Sequence, residues 1–152
     1  MKRMPTIKSA MTPFPYSIEV ENDLAAALAM MDEHRIHHLP VSEQGRLVGV
    51  VSKRDIETAL VTDADTPAAG RAIGSCYNTN IYVVDLSKPL DAVLLEMAER
   101  HIHAAVVVKG DKLAGIFTVT DACRGFAELL QSQYAPSPPP LNPEGGDDDQ
   151  VA

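Results

Sequence analysis

Two stretches of the sequence share one pattern of side chains that could bind a sugar and a phosphate. The pattern is glycine, two apolar residues, a serine or threonine, two variable residues and aspartate, at residues 49–55 and again at 115–121. A helix N-terminus beside a hydroxyl suits phosphate, and a carboxylate there can accept two hydrogen bonds from the neighbouring hydroxyls of a ribose. The same residues also suit a structural role, since a hydroxyl caps a helix and an acidic first turn favours its dipole. The pattern alone leaves both interpretations open.

Histidines form a second set of side chains with possible chemistry. They fall in two clusters, His34, His37 and His38 in the first and His101 and His103 in the second. Imidazoles at such spacing could bind a metal, or titrate near neutral pH and tune an anionic ligand. No cysteine stands near His34 and His37 in the sequence to complete a tetrahedral set of ligands. We therefore predict no metal site.

These side chains belong to two copies of one unit. Shifting the sequence by 66 residues aligns residues 9–60 with 75–126 without a gap, and 13 of the 52 aligned positions are identical. Each copy has a β-branched run, an amphipathic run with apolar residues at i, i+4 and i+7, two further β runs around a glycine turn, and a second helix after the hydroxyl residue. Asn22 or Asp23 is expected to cap the first amphipathic helix, and Ser87 its counterpart. Each copy is thus predicted to be β-α-β-β-α.

The duplication predicts an α+β fold in which two units depend on each other. One unit of about 50 residues buries too little surface to be stable alone, so the two are expected to share a core, with their sheets packed together and the helices outside. The expected boundaries are a first repeat at 5–62, a linker at 63–72, a second repeat at 73–130, and a disordered, acidic, proline-rich tail at 135–152.

Composition restricts the classes of partner. The chain has 152 residues and a net charge of −8, about half of it in the tail, which argues against nucleic acid and anionic membranes as partners. No apolar run could span a membrane, and the start lacks the apolar core of a signal peptide. Cys76 and Cys123 form no paired motif and are expected to be small buried residues. We expect a cytoplasmic protein.

Several matched pieces together resemble one family. They are residues 10–13, reading Ala-Met-Thr-Pro, the helix at 24–31, residues 36–41, reading Ile-His-His-Leu-Pro-Val, the turn before residues 47–50, and both glycine-to-aspartate motifs. Over about residues 5–130 the chain is similar to the tandem cystathionine β-synthase (CBS) domain pair, or Bateman module, of the stand-alone bacterial and archaeal type. The resemblance implies two repeats related by a pseudo-twofold axis, with two clefts between them, and a disc-like homodimer of two such modules.

In this family the clefts bind adenosine-containing ligands, and each cleft takes residues from both repeats. The resemblance implies aspartate on the ribose and hydroxyl residues on ribose or phosphate. We expect the cleft with Asp121 and Thr12 to be occupied first, because the second repeat has Asn78 where the first has Thr12. The residues assigned to this preferred cleft are Thr12, Tyr16, Ser17, Ile36, His38, His103, Thr118 and Asp121. Those assigned to the second cleft are His37, Ser52, Arg54, Asp55, Asn78, Tyr82, Val83, Ile102 and Ala104.

The resemblance implies a regulator rather than an enzyme. The sequence has no nucleophile elbow, P-loop or dinucleotide-binding glycine motif. We expect a module that binds AMP, ADP, ATP or S-adenosylmethionine as a regulatory ligand, needs no obligatory cofactor, and acts in trans on a protein target that the sequence does not identify. The alternative is a ligand-independent dimeric scaffold whose clefts are vestigial.

Overall fold

Both repeats fold into the same order of elements, as the duplication predicts. The computed structural model describes residues 1–13 and 16–139. Short 3-10 turns precede each repeat at Ile7–Ser9 and Ile73–Ser75. The helices are α1 (Leu24–His34), α2 (Lys53–Thr62), α3 (Leu90–Glu99) and α4 (Val119–Gln133). The strands are β1 (Thr12–Pro13), β2 (Ile18–Glu19), β3 (His38–Glu43), β4 (Arg46–Ser52), β5 (Tyr82–Asp85), β6 (Ala104–Lys109) and β7 (Lys112–Thr118).

The cap of α1 follows the sequence expectation, but the cap of α3 does not. The Asp23 carboxylate accepts a hydrogen bond from the amide of Ala26 at 2.8 Å, so Asp23 caps α1. The N-cap of α3 is Pro89, which has no side-chain acceptor. Ser87 lies two residues too early, and its hydroxyl donates to Asp85 at 2.6 Å instead. The prediction of Ser87 as a cap was wrong.

Each repeat lends its leading segment to the other repeat. In the four-stranded sheet the order is β1-β7-β6-β5, so the first strand of the chain pairs with the last strand of the second repeat. The three-stranded sheet, β2-β3-β4, makes the reciprocal exchange through a single bridge between Val50 and Asn78. The α+β class and the repeat architecture are confirmed, and the exchange makes the repeats interdependent.

The hydrophobic interior shows the same exchange. One buried cluster belongs to the first repeat but includes Ile73, from the start of the second. The other belongs to the second repeat but includes Ile7, from the start of the first. Both isoleucines are fully buried. The repeats therefore complete each other's cores, where the sequence had suggested one common core.

Two glycines permit the close approach of the exchanged segments. A Cβ at Gly115 would lie 2.7 Å from the carbonyl oxygen of Thr12 and 2.5 Å from the sulfur of Met11. A Cβ at Gly49 would collide with the Asn78 carbonyl and the Tyr77 ring in the same way. The glycine of each motif is thus required by the neighbouring segment from the other repeat.

Helix α1 is followed directly, and helix α3 after Arg100, by a residue in the left-handed region. Arg35 and His101 both have φ 53°, and they occupy matched positions of the repeat. For a residue with a Cβ this conformation costs roughly 1–2 kcal/mol, and it turns the chain sharply into the next strand. The turn places the residues after each helix on the edge of a cleft.

The remaining sequence expectations are met in part. None of the described helices has the length and apolar character to cross a bilayer. Cys76 is partly buried, and burial raises the pKa of its thiol, whereas Cys123 is exposed on α4, contrary to expectation. The predicted tail lies outside the described residues from 140 onward, and residues 135–139 have no regular secondary structure.

Candidate functional site

Two cavities open between the repeats, and each takes side chains from both. Cleft 1 has a volume of about 520 Å³ and cleft 2 of about 320 Å³, both within the range of small-molecule sites. Cleft 1 is lined by Thr12, Pro13, Tyr16, Arg35, Ile36, His37 and His38 of the first repeat and by Ile116, Thr118, Thr120, Asp121 and Arg124 of the second. Cleft 2 is lined by His38, Val50, Ser52 and Asp55 of the first repeat and by Asn78, Asn80, Ile81, Tyr82, Arg100, His101, Ile102, His103 and Ala104 of the second.

The start of α4 carries the polar centre of cleft 1. The Thr118 side chain accepts from the Asp121 amide at 3.3 Å, and Asp121 Oδ2 accepts from the Thr118 amide at 2.9 Å, which is a capping box. The other oxygen, Oδ1, accepts from the Thr12 hydroxyl at 3.3 Å and lies 3.6 Å from an Arg124 nitrogen. One oxygen of this carboxylate therefore caps the helix, and the other contacts Thr12 of the other repeat. This geometry is compatible with both interpretations left open by the sequence.

The start of α2 repeats this arrangement in cleft 2. Ser52 and Asp55 form a second capping box, with both hydrogen bonds at 3.0 Å. Asn78 crosses from the other repeat and exchanges two backbone hydrogen bonds with Val50, at 2.8 and 3.0 Å. The Asn78 side-chain oxygen accepts from the Asn80 amide at 2.9 Å. Asn78 thus reaches the position in cleft 2 that Thr12 holds in cleft 1.

The two matched tyrosines have different surroundings. Tyr16, half-exposed, stacks on His34 with ring centroids 3.5 Å apart and an angle of 8° between the planes. Tyr82 is 7% exposed, and its hydroxyl is buried without a hydrogen-bond partner among the described residues. The guanidinium of Arg100 lies 5.2 Å from the centre of the Tyr82 ring. Tyr82 therefore lines cleft 2 while its hydroxyl oxygen is buried and leaves a hydrogen bond unmade.

His38 borders both clefts. It begins β3, opposite Ser52 of β4, and is partly buried. Burial lowers the pKa of His38, the nearby His103 and His37 lower it further, and the Asp55 carboxylate opposes the shift. The imidazole is therefore held toward its neutral form at the boundary between the two cavities.

Most residues assigned from the sequence line the expected cleft. The structure brings six of the eight assigned residues together in cleft 1, namely Thr12, Tyr16, Ile36, His38, Thr118 and Asp121. It brings six of the nine assigned residues together in cleft 2, namely Ser52, Asp55, Asn78, Tyr82, Ile102 and Ala104.

The other assignments need correction. His37 lines cleft 1 and His103 lines cleft 2, the reverse of the assignment, because each stands between neighbours that line the same cavity. Val83 is exposed and follows Tyr82 in a strand, so its side chain points to the opposite face. Ser17, exposed and directly after Tyr16, does not line cleft 1, and Arg54, exposed on α2, does not line cleft 2.

Three arginines were missed. Arg35 and Arg124 line cleft 1, and Arg100 lines cleft 2. The spacing of Arg124, three residues after Asp121 at the start of a helix, places both side chains on one face and could have revealed it. The position of Arg35 in cleft 1 depends on the left-handed end of α1, and the sequence has no glycine or asparagine there to predict such an end.

The histidines lie around the cavities without a metal-type arrangement in the part of the chain that the structure describes. Across residues 1–13 and 16–139, no group of three His, Cys, Asp or Glu side chains is placed to hold one ion.

Comparison with known proteins finds a matching family and a similar relative. The model of the CBS domain family matches residues 7–62 and 73–128. The L-aspartate semialdehyde sulfurtransferase of Methanocaldococcus jannaschii is 28% identical over 122 residues, which are 79% of this chain but 23% of that protein, so the chain spans less than a quarter of this relative.

Two solved structures of domain pairs are similar and carry ligands. The CBS domain pair of protein MJ0100, in complex with 5′-methylthioadenosine and S-adenosyl-L-methionine, is 25% identical with a TM-score of 0.71, covering 80% of this chain and 98% of that one. The CBS domain of the bacterial CNNM/CorC family Mg²⁺ transporter, in complex with ATP, is 27% identical with a TM-score of 0.69, covering 81% and 87%.

Proposed function

The chain belongs to the CBS domain family, of which it carries two copies, and we propose that it is a regulatory module that binds an adenosine-containing ligand between them. The ligand class comprises AMP, ADP, ATP and S-adenosylmethionine. Binding regulates a partner protein, and the module itself catalyses no reaction. We place this function in the cytoplasm.

One observation carries the proposal: Asp121 lines cleft 1 at the start of α4, and its oxygen Oδ1 is not used to cap the helix. Asp121 Oδ1 lies within reach of Thr12 from the other repeat, in a cleft of about 520 Å³. A carboxylate oxygen in this position can accept from a ribose hydroxyl, while the Thr12 and Thr118 hydroxyls and the first amides of α4 can bind phosphate. The MJ0100 pair, with 5′-methylthioadenosine and S-adenosyl-L-methionine, and the transporter domain, with ATP, support the adenosine class.

A ligand in cleft 1 would touch both repeats and the start of α4 at once. Thr12 and Ile36 belong to the first repeat, whereas Thr118 and Asp121 belong to the second. A ligand that binds one relative tilt of the repeats more tightly than another would shift the population toward it. The shift would reach α4 directly, because the motif forms its first turn. A partner that contacts α4 could then respond to the ligand.

We propose that α4 is covered by a second copy of the chain. None of its 15 residues is buried, and three of them are large apolar residues: Phe126 is 62% exposed, Leu129 50% and Leu130 41%. A helix of this length is marginal in water without packing of its apolar face. The predicted disc-like homodimer of two modules would supply that packing.

Calorimetric titration of nucleotide-stripped protein tests the proposal. Wild-type protein is titrated with AMP, ADP, ATP and S-adenosylmethionine, and Asp121→Asn provides the site control. Asparagine retains an oxygen for the cap but removes the charge, so we expect at least about a tenfold loss of affinity in cleft 1, typical of a hydrogen bond to a charged group.

The outcomes separate the candidates. Absence of saturable binding of any of these ligands at millimolar concentration would favour the scaffold alternative and contradict the proposal. Binding that Asp121→Asn leaves unchanged in affinity and stoichiometry would show that cleft 1 is not the site. Circular dichroism of the variant establishes that it remains folded.

A further inference from the structure

The two clefts differ in fixed positive charge at positions that the repeat matches. Arg35 of cleft 1 corresponds to His101 of cleft 2, and Arg124 of cleft 1 corresponds to Thr58, which lines neither cleft. A guanidinium stays charged at any physiological pH, whereas threonine is uncharged and an imidazole is not a fixed cation. Cleft 1 therefore has two permanent cations where the matched positions of cleft 2 have none.

Two guanidiniums line cleft 1, and only one of them, Arg124, has a carboxylate partner among the described residues. Arg124 is 65% exposed and lies 3.6 Å from the Asp121 carboxylate, at the end of the site where we place the ribose and its phosphates. Arg35 is exposed at the left-handed end of α1 and lines the same cavity. Against these two cations, the lining of cleft 1 has one carboxylate, Asp121.

The cation that lines cleft 2 is already engaged. Arg100 lies 3.4 Å from the Glu96 carboxylate and over the ring of Tyr82. Two further basic residues in the first turn of α2, Lys53 and Arg54, do not line the cavity, and Lys53 pairs with Asp32 at 3.5 Å. Cleft 2 thus has no surplus of fixed positive charge around Asp55.

We propose that the clefts sort adenosine ligands by phosphate charge, so that cleft 1 takes the di- and triphosphates and cleft 2 takes ligands with one phosphate or none. This inference rests on the proposed function and deepens it. Each added phosphate brings negative charge and oxygens that a guanidinium can bind with two parallel hydrogen bonds. The larger volume of cleft 1, about 520 Å³ against about 320 Å³, is consistent with the longer ligand.

Proteins with one working cleft test the inference. Asp55→Asn should weaken cleft 2 by at least about tenfold and keep cleft 1 intact, and Asp121→Asn should do the reverse. Each is titrated with adenosine, AMP, ADP and ATP at about pH 7.5 without divalent cations, so that most imidazoles are neutral. Adenosine reports ribose and base recognition alone. The ratio of ATP to adenosine affinity then isolates the contribution of the phosphates.

The matched positions supply exchange variants. Arg124→Thr and Arg35→His, each made in the cleft 1 protein, give it the residues of the other repeat. Thr58→Arg, made in the cleft 2 protein, does the reverse. Because Arg124 is largely exposed, we expect its replacement to lower the ATP-to-adenosine ratio by about fivefold, with adenosine affinity changed by less than about twofold. Thr58→Arg should raise the ratio in cleft 2 by a similar factor.

Equal ratios in the two single-cleft proteins would overturn the inference while leaving the proposed function intact. So would an Arg124→Thr variant in which adenosine and ATP lose affinity equally, since Arg124 would then act through Asp121 and not on phosphate. If wild-type protein binds none of the four ligands and does not bind S-adenosylmethionine either, the proposed function fails, and the inference fails with it.

Discussion

At the scale of single residues, His38 differs most clearly between the repeats. Its matched position in the second repeat is Ala104, so only one imidazole stands at this boundary between the clefts. Burial and the neighbouring His103 and His37 lower its pKa, and Asp55 only partly opposes them. The first repeat therefore contributes a pH-dependent group to the stability of the folded protein, and the matched position of the second repeat does not.

We predict that His38 makes the folded protein less stable in mild acid. Because the native pKa lies below the ordinary 6.5, the unfolded chain binds the proton first as pH falls. The free energy of unfolding should therefore decline from about pH 7 toward the lowered native pKa. His38→Ala, which introduces the residue of the second repeat, should flatten this decline. Urea unfolding between about pH 5 and pH 8 measures it, and equal slopes for the two proteins would contradict the prediction.

The buried hydroxyl of Tyr82 leads to a second prediction. An unsatisfied buried hydroxyl costs about 1–3 kcal/mol, so Tyr82→Phe should leave the stability of the ligand-free protein unchanged or raised by up to about 1 kcal/mol. The same change should leave adenosine binding in cleft 2 unchanged, because the buried hydroxyl is not exposed to the cavity. Chemical unfolding and calorimetry measure the two effects. Tyr16→Phe, at the exposed matched position, is the control, and a clear destabilisation by Tyr82→Phe alone would refute the argument.

At the scale of elements, the exchanged leading segments decide the geometry of both clefts. Strand β1 lies against β7 because Gly115 has no side chain to displace it, and Thr12 reaches the start of α4 only from that position. The packing of β1 against Gly115 therefore determines where the Thr12 hydroxyl lies in cleft 1.

Gly115→Ala should consequently damage both stability and binding. The added methyl group would meet the Thr12 carbonyl at 2.7 Å, and such overpacking costs about 1–3 kcal/mol. Cleft 1 should lose affinity as Thr12 moves away. Gly125→Ala in α4, where a Cβ would meet nothing within 4 Å, is the matched control and should stabilise the helix by about 0.5–1 kcal/mol. Thermal unfolding and calorimetry on both variants are the measurements, and equal effects would contradict the role of Gly115.

Elements were predictable from the sequence where their causes are local. Three local signals act within a few positions: the apolar spacing that begins at Leu24 and continues through α1, the glycine turns, and the capping residues Ser52 and Thr118. The observed helices and strands follow these signals. The placement of His37 and His103 depends on which cavity the surrounding segment borders. That is set by the exchange between distant segments, which local patterns do not encode.

At the scale of the whole molecule, α4 exposes several large apolar side chains. Val119, Phe126, Leu129 and Leu130 are each at least 41% exposed, and Val61 of α2 is 81% exposed. Exposed apolar patches on a folded protein mark contact sites. The proposed dimer would bury the apolar side chains of α4 and would bring ligand-dependent movement of the helix to the interface.

Phe126→Glu should therefore dissociate the dimer. A carboxylate at the centre of an apolar interface costs more free energy than the lost contacts return, so the mass in solution should fall to that of a monomer. Gln131→Glu, which adds the same charge to the same helix, should leave the mass unchanged. Light scattering after size-exclusion chromatography measures both, and a wild-type monomer or an unchanged Phe126→Glu dimer would contradict the prediction.

The exchange of Ile7 and Ile73 between the two cores has a consequence for how the clefts can evolve. A symmetric dimer of one repeat could make the same reciprocal exchange, but its two clefts would be identical, and every substitution would appear in both. Joining the repeats in one chain removes that constraint, so a mutation can now alter one cleft alone. Arg35 and His101 illustrate this difference, since the two copies of one repeat position carry different side chains in the two clefts.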